Sequence, residues 1–232
     1  MTPAGGMAAS MQDFPGQRLP LPLLQGERCL LRALCPGDAA SVQRHANNRA
    51  VARHLFDGFP HPYALAHAQA WCAREANSGE FGYVWGIVPD AEPAAVVGCI
   101  GLMPAAGWLR CNAEVGYWLG EAWWGRGLAS DALRQVVDWA FAALPELTRI
   151  TAHIFAGNEA SEAVARKCGL VREGVLPRSA IKDGRVIDRT LWAAYRPEGG
   201  TRPADIGAAL AISAAGASTI PLSEGSLPRS AA

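Results

Sequence analysis

The chain is 232 residues long, half of it hydrophobic, with 21 basic residues against 21 acidic ones and no formal net charge at pH 7. That length suits one domain with tails and a sizeable core, and the lack of a basic excess argues against a nucleic-acid or anionic-membrane partner. Six scattered cysteines with no Cys-x-x-Cys pair, and five dispersed histidines, show neither a disulfide framework nor a metal-ligand set. Reduced thiols, no metal and a cytoplasmic setting are the plain expectation.

Residues 1–23 mix Gly, Pro, Ala and Met without periodicity and lack a basic segment followed by an apolar one, so they read as a poorly ordered tail and not a secretory signal. Residues 24–196 hold the periodic segments. Glu27–Leu34 reads as a first strand with Leu30 and Leu31 at its centre, ended by Pro36-Gly37. Asp38 is placed to cap a helix to about Asn48, with a second helical piece over Arg49–Phe56. Pro60-His61-Pro62 then imposes an extended link before a helix at about Ala64–Asn77. Gly82–Val88 and Ala95–Leu102 read as strands joined at Pro89-Asp90, and Asn112–Leu119 as the next strand. A long helix from Gly127 to Ala143 follows, its apolar positions Leu128, Ala132, Leu133, Val136, Val137, Ala140 and Phe141 forming one buried stripe. Arg149–Phe155 is a strand, and Glu159–Lys167 a short helix closed by Gly169. Leu170–Ile181 and Val186–Tyr195 form a hairpin across Lys182-Asp183-Gly184-Arg185, where Asp-Gly signals a type I′ turn. From Pro197 to Ala232 the chain turns Pro/Gly-rich and then Ala/Gly/Ser-rich; its most apolar stretch, Ile206–Leu222, is too short and too weakly apolar to span a bilayer. The expected class is mixed α/β, with a largely antiparallel sheet and one βαβ element.

The βαβ element carries the chemical signal. Gly125 and Gly127 bracket the entry of the long helix, where no side chain holds a ligand off the backbone. A helix N-terminus presents unpaired amides and the positive end of its dipole, which suits a phosphate or pyrophosphate.

The run Trp124-Gly125-Arg126-Gly127-Leu128-Ala129 resembles the Arg/Gln-x-x-Gly-x-Gly/Ala signature of the GNAT acetyl-CoA-dependent N-acyltransferases, with Trp124 at the first place. Asn158-Glu159-Ala160-Ser161, then Lys167-Cys168-Gly169-Leu170 and Glu173-Gly174, with Ala113-Glu114-Val115-Gly116-Tyr117-Trp118-Leu119 upstream, are similar to the RimJ/RimL type of that superfamily. The resemblance spans about residues 24–196. It implies a GNAT fold whose central sheet splays between its fourth and fifth strands, here Asn112–Leu119 and Arg149–Phe155, to admit acetyl-CoA. It implies pyrophosphate on the amides of Gly125, Arg126, Gly127, Leu128 and Ala129, and the pantetheine arm paired with the amides of Tyr117, Trp118 and Leu119, one of which holds the developing oxyanion. Asn158 is implied to hydrogen-bond the cofactor arm, and it is equally a good helix N-cap.

The implied reaction is direct attack by a primary amine, of a protein N-terminus or a small molecule, on the thioester, without an acyl-enzyme. Glu114 is the candidate base and Ser161 the candidate acid for the CoA thiolate. Some RimL-type enzymes place a second carboxylate where this chain has Pro177-Arg178-Ser179-Ala180. The alternative is therefore a catalytically silent acyl-CoA-binding module. Monomer and homodimer both remain open.

Overall fold

The computed structural model describes residues 19–77 and 82–197, so the tails expected at 1–23 and 197–232, with the apolar stretch 206–222, lie almost wholly outside the described residues. By its contacts the chain divides into Met1–Arg196 and Pro197–Ala232, and every element below belongs to the first unit. The elements run β1 (Leu24–Gln25), β2 (Cys29–Arg32), α1 (Ala39–Ala46), α2 (Arg49–Ala52), α3 (Leu65–Asn77), β3 (Tyr83–Pro89), β4 (Gly98–Pro104), β5 (Asn112–Leu119), α4 (Leu128–Ala143), β6 (Arg149–Phe155), α5 (Glu159–Lys167), β7 (Val171–Lys182) and β8 (Arg185–Tyr195). The eight strands form one sheet in the order β1-β2-β3-β4-β5-β6-β8-β7. Every pairing is antiparallel except β5 with β6, which α4 joins as a crossover. The mixed α/β, mostly antiparallel fold expected from sequence is the one observed.

Strand alternation sorts the core onto the two faces of the sheet. Trp85 and Ile87 of β3, Ile100 and Leu102 of β4, and Ala113 and Val115 of β5 join Leu133, Val136 and Ala140 of α4 in one cluster. Their neighbours Val84, Val88 and Cys99 pack on the other face with Val42 of α1 and Ala68 and Cys72 of α3. Trp85, Ile87, Ile100 and Leu133 are fully buried, and truncating any of them to Ala typically costs ~2–5 kcal/mol.

Three expected elements differ from those observed. The first strand is not Glu27–Leu34 but β2, Cys29–Arg32, with a two-residue β1 folded back on it. The amides of Glu27 and Arg28 are taken by the Asp131 carboxylate of α4 at 3.3 and 3.0 Å instead of by a ladder. The helical piece predicted to Phe56 stops at Ala52, because the chain tightens into i→i+3 turns, His54 to Val51 and Leu55 to Ala52. The strand predicted over Ala95–Leu102 runs instead over Gly98–Pro104, since Val97 bonds Ile87 with its amide and Gly120 with its carbonyl at the strand's irregular start. The hairpin tip is as expected: Asp183 and Gly184 have φ of 49° and 73°, the left-handed pair of a type I′ turn.

Asp38 stands at the N-cap position of α1 but, against expectation, makes no side-chain cap bond to the helix, because its carboxylate is taken by the chain that precedes it. Its carboxylate takes both Arg32 guanidinium nitrogens at 2.7 and 2.8 Å and the Cys35 amide at 2.8 Å. Burial alone would raise this carboxyl, but the Arg32 and Cys35 bonds outweigh it and hold it below the usual carboxylate range. A depressed folded value gives stability that is present above the unfolded carboxylate value, about pH 3.9, and is lost as pH falls through the folded one. Urea denaturation at pH 7 and pH 3 is expected to show Asp38→Asn clearly weaker than the wild type at the first pH, with a smaller gap at the second.

Candidate active site

The gap in the sheet follows from register. β5 and β6 pair only at Asn112 with Arg149, Ala113 with Ile150 and Glu114 with Thr151, and beyond Glu114 they part. Successive residues of a strand turn their amides to opposite neighbours. Ala105 donates to the Asn112 carbonyl at one end of β5, and the Gly120 amide reaches Val97 at the other, so the even-numbered residues face β4. The amides of Tyr117 and Leu119 therefore point into the gap, while that of Trp118 is turned to its partner Cys99 on β4. Of the three amides expected to pair with a ligand arm, Trp118's belongs to the sheet. Its ring instead meets Phe59 edge-on at 5.7 Å.

Next comes the glycine turn. Gly125 and Gly127 have φ of 73° and 80°, a region that L side chains rarely adopt. A Cβ on Gly125 would meet nothing within 4 Å, so the turn opens onto a cradle of bare backbone. Gly127 caps α4 without any side-chain bond, and the first closing bond is Asp131 N–H to the Gly127 carbonyl at 3.0 Å. The amides of Leu128, Ala129 and Ser130 precede that bond and have no intrahelical acceptor. Trp124 Nε1 donates to the Leu119 carbonyl at 2.8 Å and pins the turn to the end of β5. The Arg126 guanidinium lies 4.7 Å over the Trp123 ring. Arg28 also reaches this point, since a Cβ on Gly127 would lie 3.2 Å from its Cδ and Nε.

Asn158 caps α5 by accepting the Ser161 amide at 3.2 Å, which occupies Oδ1 and leaves the two Nδ2 donors outside the cap. The Tyr117 hydroxyl donates to the Ser161 carbonyl at 3.2 Å and so ties β5 to the first turn of α5. Burial pushes the Tyr117 phenol above its usual range, so it stays a neutral donor. Tyr117, odd-numbered, stands on the face of the sheet that carries α4 and α5. Glu114, even-numbered, stands on the opposite face, with its side chain about half exposed (48%). The candidate base and the candidate acid thus flank the gap from its two sides. Across the gap from Glu114, His153 of β6 brings Nδ1 to 3.3 Å from Oε1.

A cavity of about 1020 Å³ joins these parts, lined by every candidate catalytic and cofactor-binding residue except Arg126. On the Glu114 face its wall is apolar and aromatic, with Leu55, Phe56, Phe59, Tyr63, Met103 and Trp118, and in the whole lining only Glu114 and, on α5, Glu159 are acidic. Arg53 stands at the rim, its Nε donating to His54 Nε2 at 2.9 Å. Burial, and then the neighbouring Arg53 charge, holds His54 below the usual histidine range. Burial pushes the Cys29 thiol up to about 12 and the Cys72 thiol to about 11, so neither offers a thiolate near neutral pH. No group of three or more potential metal ligands occurs among the described residues.

Sequence reasoning missed His153, Arg28 and the Tyr117 hydroxyl. The first is visible only once the register sets Glu114 beside Thr151, and the second only once β2 is docked on α4.

Comparison with known proteins agrees with this geometry. Residues 28–171 match the family model described as an acetyltransferase (GNAT) domain. The chain is 30% identical over 178 residues to the uncharacterized N-acetyltransferase YoaA of Bacillus subtilis, covering 76% of this chain and 98% of that one. It is 33% identical over 85 residues to the ribosomal-protein-serine acetyltransferase of Escherichia coli, 37% of this chain and 47% of the other. Among solved structures, Mycobacterium smegmatis RimJ in complex with CoA-disulfide superposes with a TM-score of 0.67 at 25% identity, over 82% of this chain and 95% of that one.

Proposed function

Because this chain belongs to the GNAT family of N-acetyltransferases, we propose that it moves an acetyl group from acetyl-CoA to a primary amine held on the Glu114 face of the cavity. The observation that carries this reading is the gap between β5 and β6, with bare amides on one edge and the uncapped glycine entry of α4 at its end. The donors before the first closing bond of α4 suit a pyrophosphate, with Arg126 and Arg28 as nearby cations. The gap-facing amides of Tyr117 and Leu119 suit an extended pantetheine arm and a thioester oxygen. Bound acetyl-CoA supplies the activated acetyl carbon; the chain's own groups orient the amine and manage two protons. Glu114 is the carboxylate on which removal of the amine proton depends, and Ser161 is the hydroxyl on the side of the departing thiol.

The apolar and aromatic wall, with so little acid, favours an amine borne on an apolar body over a polycationic tail. An α-amine, with a pKa of ~7.7–8.0 against ~10.4 for lysine, also asks less of the base. A protein N-terminus and a small-molecule amine both meet these terms. A reducing, cytoplasmic compartment is part of this reading, and the six cysteines are free thiols. No helix among the described residues is long and apolar enough to cross a membrane.

The test is a calorimetric titration with acetyl-CoA followed by a panel of amines. Glu114→Gln is expected to keep acetyl-CoA affinity within about twofold while kcat falls ~10²–10⁴-fold. Saturable binding with no turnover across the panel would instead favour the silent acyl-CoA-binding module, the reading that Pro177–Ala180, without a carboxylate, allows.

A further inference from the structure

We propose that His153 is a catalytic residue of this site: its Nε2 accepts the amine proton, while Glu114 holds Nδ1 and stabilises the imidazolium. The inference rests on the acetyl-transfer reading above and deepens it. Three observations support it. His153 Nδ1 is buried and lies 3.3 Å from Glu114 Oε1, within ion-pair range. The contact is off the line of a formed hydrogen bond, so Nδ1 has no other partner to lose by turning onto the carboxylate. The imidazole also lines the cavity and is 23% exposed, and with Nδ1 buried that exposure falls on the rest of the ring.

Register explains the meeting. Glu114 is level with Thr151, and His153 is the next residue along β6 on that face, just past the point where the strands part. A carboxylate on Nδ1 sets the tautomer so that Nε2 is the acceptor, and it favours the charged ring once the proton arrives. A carboxylate is by its reference value a weaker base than an imidazole, and Glu114 is half exposed to water. An imidazole better matches an α-amine.

The other charged groups facing this pair are Arg149, Arg189 and Arg53. Arg149 is held by Glu173 and by Asn112 Oδ1 at 3.1 Å. Arg189 on β8 donates to the Ser179 hydroxyl at 3.1 Å. Arg53 stands at the rim with His54. All three are donors only and cannot accept Nδ1–H, which leaves Glu114 as the acceptor.

In the step itself the N–C bond forms, the C–S bond breaks, and the nitrogen gives one proton to His153 Nε2. The imidazolium returns that proton to solvent. The CoA thiolate takes a proton from the side of Ser161, where solvent restores it, and the protein ends unchanged.

Two measurements test the assignment. The first needs no activity: histidine ¹⁵N resonances of the full chain report the tautomer of His153. The expected result is Nδ1–H in the wild type and a shift toward Nε2–H in Glu114→Ala, where the acceptor is gone; an identical tautomer in both would overturn the pairing. The second uses the amine assay. His153→Gln is expected to lower kcat by ~10²-fold or more with acetyl-CoA affinity within about twofold, and combining it with Glu114→Gln adds little, as for residues acting as a unit. Added imidazole is expected to restore rate to His153→Ala and not to Glu114→Ala, a response that a merely structural histidine would not show. Wild-type kcat in His153→Gln, or fully additive losses, would overturn the proposal. A wild type inert toward every amine would count against the acetyl-transfer reading, while the tautomer experiment still reports the pair.

Discussion

Gly127→Glu is expected to weaken acetyl-CoA binding by at least ~100-fold, about 2.7 kcal/mol, in a protein that still folds. Three causes act together. At φ +80° any L side chain carries left-handed strain, of about 1–2 kcal/mol. A Cβ here would lie 3.2 Å from Arg28 Cδ and Nε, so the Arg28 side chain must give by a few tenths of an ångström. The new carboxylate would itself occupy the positive end of α4, where the amides of Leu128 and Ala129 await an anion. Gly127→Ala shares the strain and the crowding but not the charge, so it separates the terms and should lose less affinity. Gly125→Ala, with φ +73° and nothing within 4 Å of the added carbon, isolates strain alone. Calorimetry with acetyl-CoA, beside thermal midpoints for each variant, reads the series. Wild-type affinity in folded Gly127→Glu would mean that the turn is only a connection between strand and helix.

Such a prediction is possible from sequence because the glycine turn is a local feature. The bounds of β5, β6 and α5 match those expected, Asn112–Leu119, Arg149–Phe155 and Glu159–Lys167. In each case the information is carried by neighbours: apolar runs between breakers, an Asn cap, a Gly after the last turn. What failed depends on partners far along the chain. β2 starts later than expected because Asp131, about a hundred residues on, takes the amides of Glu27 and Arg28 away from any ladder. Trp118 looked equivalent to Tyr117 and Leu119, yet only ladder parity decides whose amide meets the gap. His153 had no signal of its own. For Asn158 the sequence left two roles open, and the cap on Ser161 is made while the Nδ2 donors remain for the other. Site residues that act through backbone shape were thus legible, and those that act through strand register were not.

The same long-range clasp carries the largest expected loss of stability. Asp131, 3% exposed in the first turn of α4, accepts from the amides of Glu27, Arg28 and Cys29 at 3.3, 3.0 and 3.2 Å and from Gln135 Nε2 at 3.2 Å. Asp131→Ala strips the acceptor from the buried Cys29 amide and from the part-buried amides of Glu27 and Arg28, and a buried donor without an acceptor costs about 1–3 kcal/mol. A loss of ~3–5 kcal/mol is expected after partial relaxation, a large share of the ~5–15 kcal/mol that holds a typical domain. Asp131→Asn keeps the shape and one acceptor oxygen but turns an NH₂ toward donors, so it should fall between the two. Urea midpoints measure the effect, and the Cys29 thiol reports its location. That thiol is fully buried and raised to about 12, chiefly by burial and next by Asp131. Faster alkylation of Cys29 in Asp131→Ala, ahead of global unfolding, is expected if β2 loosens from α4. Arg28 lies between this clasp and Gly127, so the variant should also bind acetyl-CoA more weakly although Asp131 itself does not line the cavity. An unchanged urea midpoint would show that β2 is held to the helix by apolar packing alone, and Arg28 would then lose its claim to a fixed place at the helix entry.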